Sequence, residues 1–502
     1  MKKEENTGKT RTVKNILALT VPLSILFVSI IWLYIQNRVV DPDCYFILTN
    51  GRDILTDGIP YENTHFILSG LKTVVQQWLY SVMLYKLYQL CGMSGVKAVA
   101  YLGYMLMLLV TYAYMRKRGV EKKESFLLSV VSMIPMMYVF TSRPAVFTFV
   151  LLITQCIVVE DVKRKGKKSL LFLLPVLMLV EINIHASMWI MHMIFLLPYL
   201  MPDKGPLKII DRHTRSDENQ RWRKWLILPV IIMTGTLFVN PYGIKGITYL
   251  FDSYNRMLNN GYITELEPPQ VKSVAGIFLV IICLAAGFAW NKKIIFRHTL
   301  YFVLGGILMA MMQYKNVPML ACAMMFLGAD CLDNHRISLS SMENKVWCNR
   351  IATIICIFTG FLMVCTVSVR PEEKDYIMAP QAAVSYLKEH DVSKDSRLYT
   401  GFNTGAYLLW NGYHIYMEAR PELYFKSINQ KFDYYKEYSD VLYAKDIQTI
   451  EDFLSKYDFE YLIEDEGTPL DLYLQKSKDY TKVVDGDGYR MYQQLMGKEE
   501  IR

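Results

Sequence analysis

The stretch ILALTVPLSILFVSIIWLYIQ, residues 16–36, with Asp41-Pro42-Asp43 shortly after it, decides how the rest of the chain is understood. The run carries no charge and is long enough to cross a bilayer core, which takes about 20 residues in a helix. Lys2, Lys3, Lys9, Arg11 and Lys14 precede it, and no small-residue cleavage site follows, so it is expected to be a retained span rather than a cleaved signal. Asp41 and Asp43 then emerge at the far membrane surface. The proline between them has a fixed φ and holds two carboxylates close together, an arrangement suited to proton transfer. The bland alternative is a pair of solvated loop aspartates.

Composition agrees with the first segment. In 502 residues, 52% are hydrophobic, with 28 Met, 35 Tyr and 23 Phe, more apolar and aromatic than an ordinary soluble enzyme. About a dozen apolar segments are counted, near 16–36, 76–91, 94–115, 125–141, 144–159, 169–184, 186–201, 225–240, 272–290, 299–314, 316–331 and 350–369. Lys/Arg clusters at the N-terminus, 116–123, 163–168, 212–224, 292–297 and 336–350 mark the cytoplasmic side. The first loop (37–75), the Asn240-Pro241-Tyr242-Gly243 loop, the Lys315-Asn316 turn and the tail are then external. An external C-terminus needs an odd number of crossings, and the short segment 76–91, with Gln76, Gln77, Lys86 and Gln89, is the suspect. The expected fold is an all-α polytopic membrane bundle of about 11–13 spans with a C-terminal soluble α/β domain.

Charge separates the two parts. Residues 370–502 hold 17 Lys+Arg against 25 Asp+Glu, a balance of −8, while residues 1–369 hold 38 against 22, a balance of +16. The basic part carries its charge in short blocks between apolar runs, which suits anionic lipid and not nucleic acid. All nine cysteines precede residue 370, lie mostly in apolar runs without paired ligand spacing, and are expected to act as small core hydrophobes. In the tail, helices are expected at 380–390, 405–410 and 447–457, strands at 397–402, 414–418 and 460–464, and a hairpin at 483–493. Gly401-Phe402-Asn403-Thr404-Gly405 resembles a phosphate-cradling turn after a strand, but its spacing is not a nucleotide fingerprint, and an ordinary strand-to-helix turn is the expected reading. Residues 44–58 alternate apolar and polar side chains with helical spacing, as a helix lying on a membrane does.

Several groups could carry chemistry. Glu181, His185 and His192 are spaced for one helical face in an apolar segment, as a hydrogen-bonded cluster with Asn183 and Ser187 or as metal ligands, the cluster being the more economical. Arg143 and Lys315 stand at outer helix ends, where a guanidinium or ammonium either meets a lipid phosphate or snorkels to headgroups. Glu265 and Glu267 could join Asp41 and Asp43 in an acidic pocket able to hold a divalent cation or sugar hydroxyls. His65, Trp78 and Tyr61 offer a stacking and hydrogen-bonding surface for a sugar, although interfacial aromatics also arise from partitioning alone.

In order along the chain stand Asp41-Pro42-Asp43, Asn50-Gly51-Arg52-Asp53-Ile54-Leu55 with Gly58-Ile59-Pro60, Gln77-Trp78-Leu79, Asn183-Ile184-His185-Ala186, Asn240-Pro241-Tyr242-Gly243, Ile263-Thr264-Glu265, Lys315-Asn316-Val317-Pro318, Gly405-Ala406-Tyr407-Leu408 and Glu418-Ala419-Arg420-Pro421-Glu422. This series resembles bacterial membrane proteins of the glycosyltransferase C-type (GT-C) superfamily, such as protein mannosyltransferases and lipid A aminoarabinose transferases. Glu418-Ala419-Arg420 stands where that family tends to have Asp-Gly-Arg, and Glu181 where it tends to have an aromatic residue. The resemblance implies a sugar taken from a polyprenyl-phosphate carrier in the plasma membrane and moved to an envelope glycan, lipid or protein acceptor. Asp41 or Asp43 would be the catalytic acidic residue, and His65, Arg143, Glu181, His185, Glu265 and Lys315 the substrate-binding candidates. No cofactor is required by the sequence. A transporter or flippase for a lipid-linked glycan, with Glu181, His185 and Arg143 lining its path, and a non-catalytic envelope-assembly scaffold are the alternatives. The paired, interrupted halves common in transporters are not found.

Overall fold

A computed structural model describes residues 40, 43–63, 67, 68, 70–201, 208–215, 221–257, 267–270, 272–332, 380–486 and 488–495. The expected spans at 16–36 and 350–369 lie outside these residues, as do Asp41, His65 and Glu265. The chain forms two compact units, one within Lys97–Asn240 and Gly261–Pro371, the other within Val40–Val96, Pro241–Asn260 and Glu372–Arg502.

The first unit is all helix. Its main members are Met93–Arg118, Lys122–Ser132, Ala145–Lys165, Leu173–Ile184, Trp189–Leu200, Ile227–Thr236, Val274–Asn291, Arg297–Met312 and Pro318–Leu332. Among the described residues, Met93–Arg118, Ala145–Lys165, Val274–Asn291 and Tyr314–Leu332 are long and apolar enough to cross a membrane, and Ala186–Leu200 and Arg297–Met312 are shorter apolar helices. Their outward faces are apolar too: Leu284 is 70% exposed, Leu308 62% and Ile231 62%. Such surface is stable only against lipid, and a helix satisfies its own backbone there. The bundle is that of a membrane protein.

Direction within the bundle follows from its loops. The helix Ala145–Lys165 starts just after Arg143 and ends in Lys163, Arg164 and Lys165, about 30 Å apart along the axis. Leu173–Ile184 returns from Lys168 to His185, and Arg297–Met312 runs from a buried arginine to the Tyr314–Asn316 turn that carries Lys315. Arg143, His185 and Lys315 therefore share the end of their helices opposite the basic clusters.

The second unit joins the first loop to the tail. Its four-stranded sheet has the order Leu398–Thr400, Tyr461–Asp465, Tyr489–Gln494, Tyr480–Gly486, with the first pair parallel and the others antiparallel. Helices Gln381–Glu389, Gly405–Trp410, Tyr434–Leu442 and Ile447–Tyr457 accompany it. Leu68 and Leu71 from the first loop are buried in the same core as Leu398, Tyr416, Leu462 and Met491. Further links are the Ile67 amide to the Ile415 carbonyl (2.9 Å), and Arg52 Nη1 to the Trp410 carbonyl (3.1 Å) with its guanidinium over the Trp410 ring. Residues 414–418 do not form the expected strand. Only Ile415 bridges to Leu398, because the neighbouring Met417 carbonyl is taken by the Thr400 hydroxyl and the Glu418 amide by the Tyr424 hydroxyl.

The amphipathic segment after Asp43 is helical over Cys44–Asp57 and buries Cys44, Phe46, Ile47, Leu48 and Gly51. It packs on Trp78–Cys91, so the suspect apolar segment belongs to the second unit. Close packing depends on Gly51, where an added Cβ would lie 2.1 Å from the Ser81 carbonyl oxygen. Of the cysteines, Cys44, Cys156 and Cys322 are buried, whereas Cys91 and Cys283 are exposed, contrary to a uniform core role. Cys283 lies on a lipid-facing helix, where burial within protein is not what shields an apolar thiol.

Gly51→Ala is expected to cost about 1–3 kcal/mol through forced separation of the two helices. Gly287→Ala, at a helical position with open space around the added carbon, should leave the melting temperature of the detergent-solubilised protein unchanged, and the two melts compared side by side check this.

Candidate functional site

In the bundle, helix Leu173–Ile184 ends at His185, whose backbone (φ −156°, ψ 64°) leaves helical geometry. A short 3-10 turn, Ala186–Met188, redirects the chain before Trp189–Leu200 begins. Asn183 stabilises the break by donating to the Leu179 and Val239 carbonyls, both at 2.9 Å. Glu181, His185 and His192 do come together, but not along one continuous helix face. Thr148, from Ala145–Lys165, bridges them: its hydroxyl donates to Glu181 Oε1 at 2.7 Å and lies 2.8 Å from His185 Nδ1, while Glu181 and His185 themselves are 4.0 Å apart. His192 Nε2 is 3.5 Å from Glu181 Oε2, and Gln155 holds the other side of that ring. Glu181 and His192 are fully buried, and the His185 side chain keeps 17% exposure. No group of His, Cys, Asp or Glu among the described residues is arranged to hold a metal ion.

Arg143 immediately precedes Pro144, the N-cap residue of the Thr148 helix, and interacts electrostatically with His185. Lys315 is half-buried in the turn Tyr314–Asn316, and the Tyr314 amide donates to the Glu267 carbonyl at 2.7 Å, which fixes that turn against the loop carrying Glu267. Thr148 and Gln155 were not legible as partners. Their only signal is polarity inside an apolar helix, which signals a buried hydrogen bond without naming its acceptor.

The basic end of the bundle holds a second buried cluster. Arg118, 1% exposed, reaches Asp330 at 2.6 Å and Glu160 at 3.3 Å, with Tyr114 and His298 beside it. Asp330 also accepts from the Phe296 amide at 2.7 Å, and Arg164 donates to the Arg118 carbonyl at 2.6 Å. Arg118 thus ties three helices, although in the sequence it stands as one member of a block of basic residues, 116–123. Removing one partner of such a pair leaves buried charge exposed to no water, a cost of about 3–5 kcal/mol. Arg118→Met should therefore abolish or sharply lower the folded yield, while Lys122→Met, at an exposed position, should not; fluorescence-detected size exclusion reads the difference.

In the second unit, Asp43 is the N-cap residue of Cys44–Asp57 and is half-buried, and its side chain does not cap the first turn. About two turns further along, Asn50 accepts from Arg420 Nη1 at 3.4 Å, Arg420 Nε pairs with Glu418, and the guanidinium lies 5.2 Å from the Phe46 ring centroid. The motif Glu418-Ala419-Arg420 is thereby an internal ion pair that holds the helix beginning at Asp43. Burial raises the Glu418 carboxyl above its ordinary range, with Arg420 opposing. Tyr61 donates to the Pro241 carbonyl (3.2 Å) and Tyr242 to the Pro60 carbonyl (3.0 Å), which ties the Asn240-Pro241-Tyr242-Gly243 loop to the first loop.

Burial also pushes Glu422 up to about 7, and Glu464, with Asp465 adding, up to about 8, from 4.5. The folded unit therefore keeps protons that the unfolded chain has released above about pH 4.5. That contribution to stability is full below pH 4.5 and is lost as pH rises through 7 and 8. The melting temperature is expected to fall between pH 5 and pH 9, and Glu464→Gln should flatten the decline, as seen in a pH series of thermal melts.

No protein-family model and no curated protein matches this sequence. Solved structures match by fold. The oligosaccharyltransferase of Archaeoglobus fulgidus in its apo form aligns with 89% of this chain and 69% of its own, at 9% identity and a TM-score of 0.58. The same enzyme tethered to an acceptor peptide with the NVT sequon aligns over the same shares at 9% identity and 0.61. The mycobacterial arabinofuranosyltransferase AftD aligns with 93% of this chain and 39% of its own, at 11% identity and 0.50. In fold, the chain is similar to this oligosaccharyltransferase and to this arabinofuranosyltransferase.

Proposed function

We propose that the protein is a membrane glycosyltransferase that moves a sugar from a polyprenyl-phosphate carrier to an extracytoplasmic acceptor. The observation that carries this reading is the GT-C fold extending over both units, together with a half-buried aspartate, Asp43, at the start of the first-loop helix. In this reading Asp43 or Asp41 takes the acceptor hydroxyl proton while that oxygen attacks the anomeric carbon and the polyprenyl phosphate leaves. The leaving group is already an anion, so the protein has mainly to align the reactants and stabilise departing charge. Arg143 and Lys315, at the helix ends opposite the basic clusters, are the cations suited to that task. Glu265 and His65 are kept as substrate-binding candidates on sequence grounds. Polyprenyl phosphate and an envelope acceptor are supported by the resemblance of the motif series and by the lipid-facing bundle around these helix ends.

The test is sugar transfer from synthetic polyprenyl-phosphate pentoses and hexoses by the purified full-length protein in lipid nanodiscs. Asp43→Asn should lower transfer at least a hundredfold, within the range general acid–base catalysis contributes, with an unchanged melting temperature. Wild-type rates in both Asp41→Asn and Asp43→Asn would remove these aspartates from the chemistry. Movement of the intact lipid-linked sugar across the bilayer without transfer would favour a flippase.

A further inference from the structure

The hydrogen count around Glu181 constrains which nitrogen of His185 is available to a ligand. Gln155 uses its amide nitrogen on the His192 carbonyl at 2.8 Å, so it turns its oxygen to His192 Nδ1, also at 2.8 Å. That nitrogen therefore carries hydrogen, and Nε2 of a neutral His192 is a bare lone pair. It faces Glu181 Oε2 at 3.5 Å, and both atoms are buried with no hydrogen-bond partner. An ionised carboxylate and a bare imine nitrogen in that place would each lose water and gain nothing. One proton held between them removes the conflict, whichever atom carries it.

With that proton on the His192 side, Glu181 Oε1 is an acceptor in either case. The Thr148 hydroxyl has a single hydrogen and gives it to Oε1 at 2.7 Å. Its contact with His185 Nδ1 at 2.8 Å must then run the other way, with Nδ1–H donating to the hydroxyl oxygen. His185 is fixed as the Nδ1–H tautomer, and its Nε2 is a hydrogen-bond acceptor on a side chain that keeps 17% exposure. A bare nitrogen recognises a hydroxyl donor; it repels a phosphate oxygen.

We propose that His185 Nε2 accepts a hydrogen bond from one hydroxyl of the transferred sugar and so sets which sugar is taken, with Glu181, His192 and Thr148 as positioning residues that hold its tautomer. The sugar half of this rests on the glycosyl-transfer reading; the tautomer half does not. The groups facing His185 are Glu181 on its own helix, and Arg143 and Thr148 on the helix beside it and its leading turn, while His192 on the helix after the break faces Glu181. Ile227–Thr236, which packs on the His185 helix, has no titratable side chain.

Two measurements on the full-length protein in nanodiscs test this. In nitrogen-15 spectra of histidine-labelled protein, His185 should show hydrogen on Nδ1 near neutral pH, and Thr148→Val but not Thr148→Ser should release it into a tautomer mixture. An Nε2–H tautomer in the wild type would overturn the proposal. In transfer assays with polyprenyl-phosphate sugars and their monodeoxy analogues, removal of one hydroxyl should lower kcat/KM roughly tenfold, the scale of one lost hydrogen bond. His185→Phe should erase that discrimination, Thr148→Val weaken it and Thr148→Ser keep it. Unchanged discrimination in His185→Phe would overturn the sugar half. Absence of any transfer by the wild type would instead sink the glycosyl-transfer reading and the sugar half with it, leaving the tautomer to be decided by the spectra.

Discussion

Arg118 is a guanidinium with 1% of its side chain exposed, inside a helix bundle whose outer surface is apolar. Such a charge is tolerated only with carboxylates in place, and Glu160 and Asp330 come from two other helices to meet it. The rest of the bundle depends on this constraint. Helices Met93–Arg118, Ala145–Lys165 and Pro318–Leu332 are pinned at one end, so the positions of their other ends are set by length and packing. Arg143 and the Lys315 turn lie at those other ends, so a shift of register in any of these helices would carry them with it.

Many of the described elements were legible, because periodicity and apolar run length are local properties, whereas the strand expected at 414–418 was not formed. Gly405–Trp410 and Ile447–Tyr457 form at the expected residues, since a glycine after a turn and an Asp446 cap leave little choice of start. What the sequence could not supply was partnership across distance. Arg118 was visible only as one charge in a basic block, and nothing local says that it points inward while Arg116 and Lys117 flank it. Likewise the tail looked self-contained by charge, yet Leu68 and Leu71 of the first loop lie in its core. Apolar residues in a loop of mixed composition give no sign of which surface they fill.

Glu181, His185 and His192 show how a correct grouping can rest on incomplete geometry. In an unbroken helix, residues 181 and 192 would face the same way but stand about 16 Å apart along the axis, at 1.5 Å per residue. A separation of 3.5 Å between their side chains therefore requires the chain to turn between them. His185 makes that turn, and Asn183 bonding to Val239 replaces part of the lost helical ladder. The break is thus not a defect in the span. It leaves His185 at the partly exposed margin while bringing His192 back to close the buried side of Glu181, so that one carboxylate has a satisfied face toward Thr148 and a proton-demanding face toward His192. A straight helix with the same residues would have stranded the carboxylate in apolar surroundings and left the tautomer of His185 free. The helix break and the chemistry available at His185 are consequences of the same backbone choice.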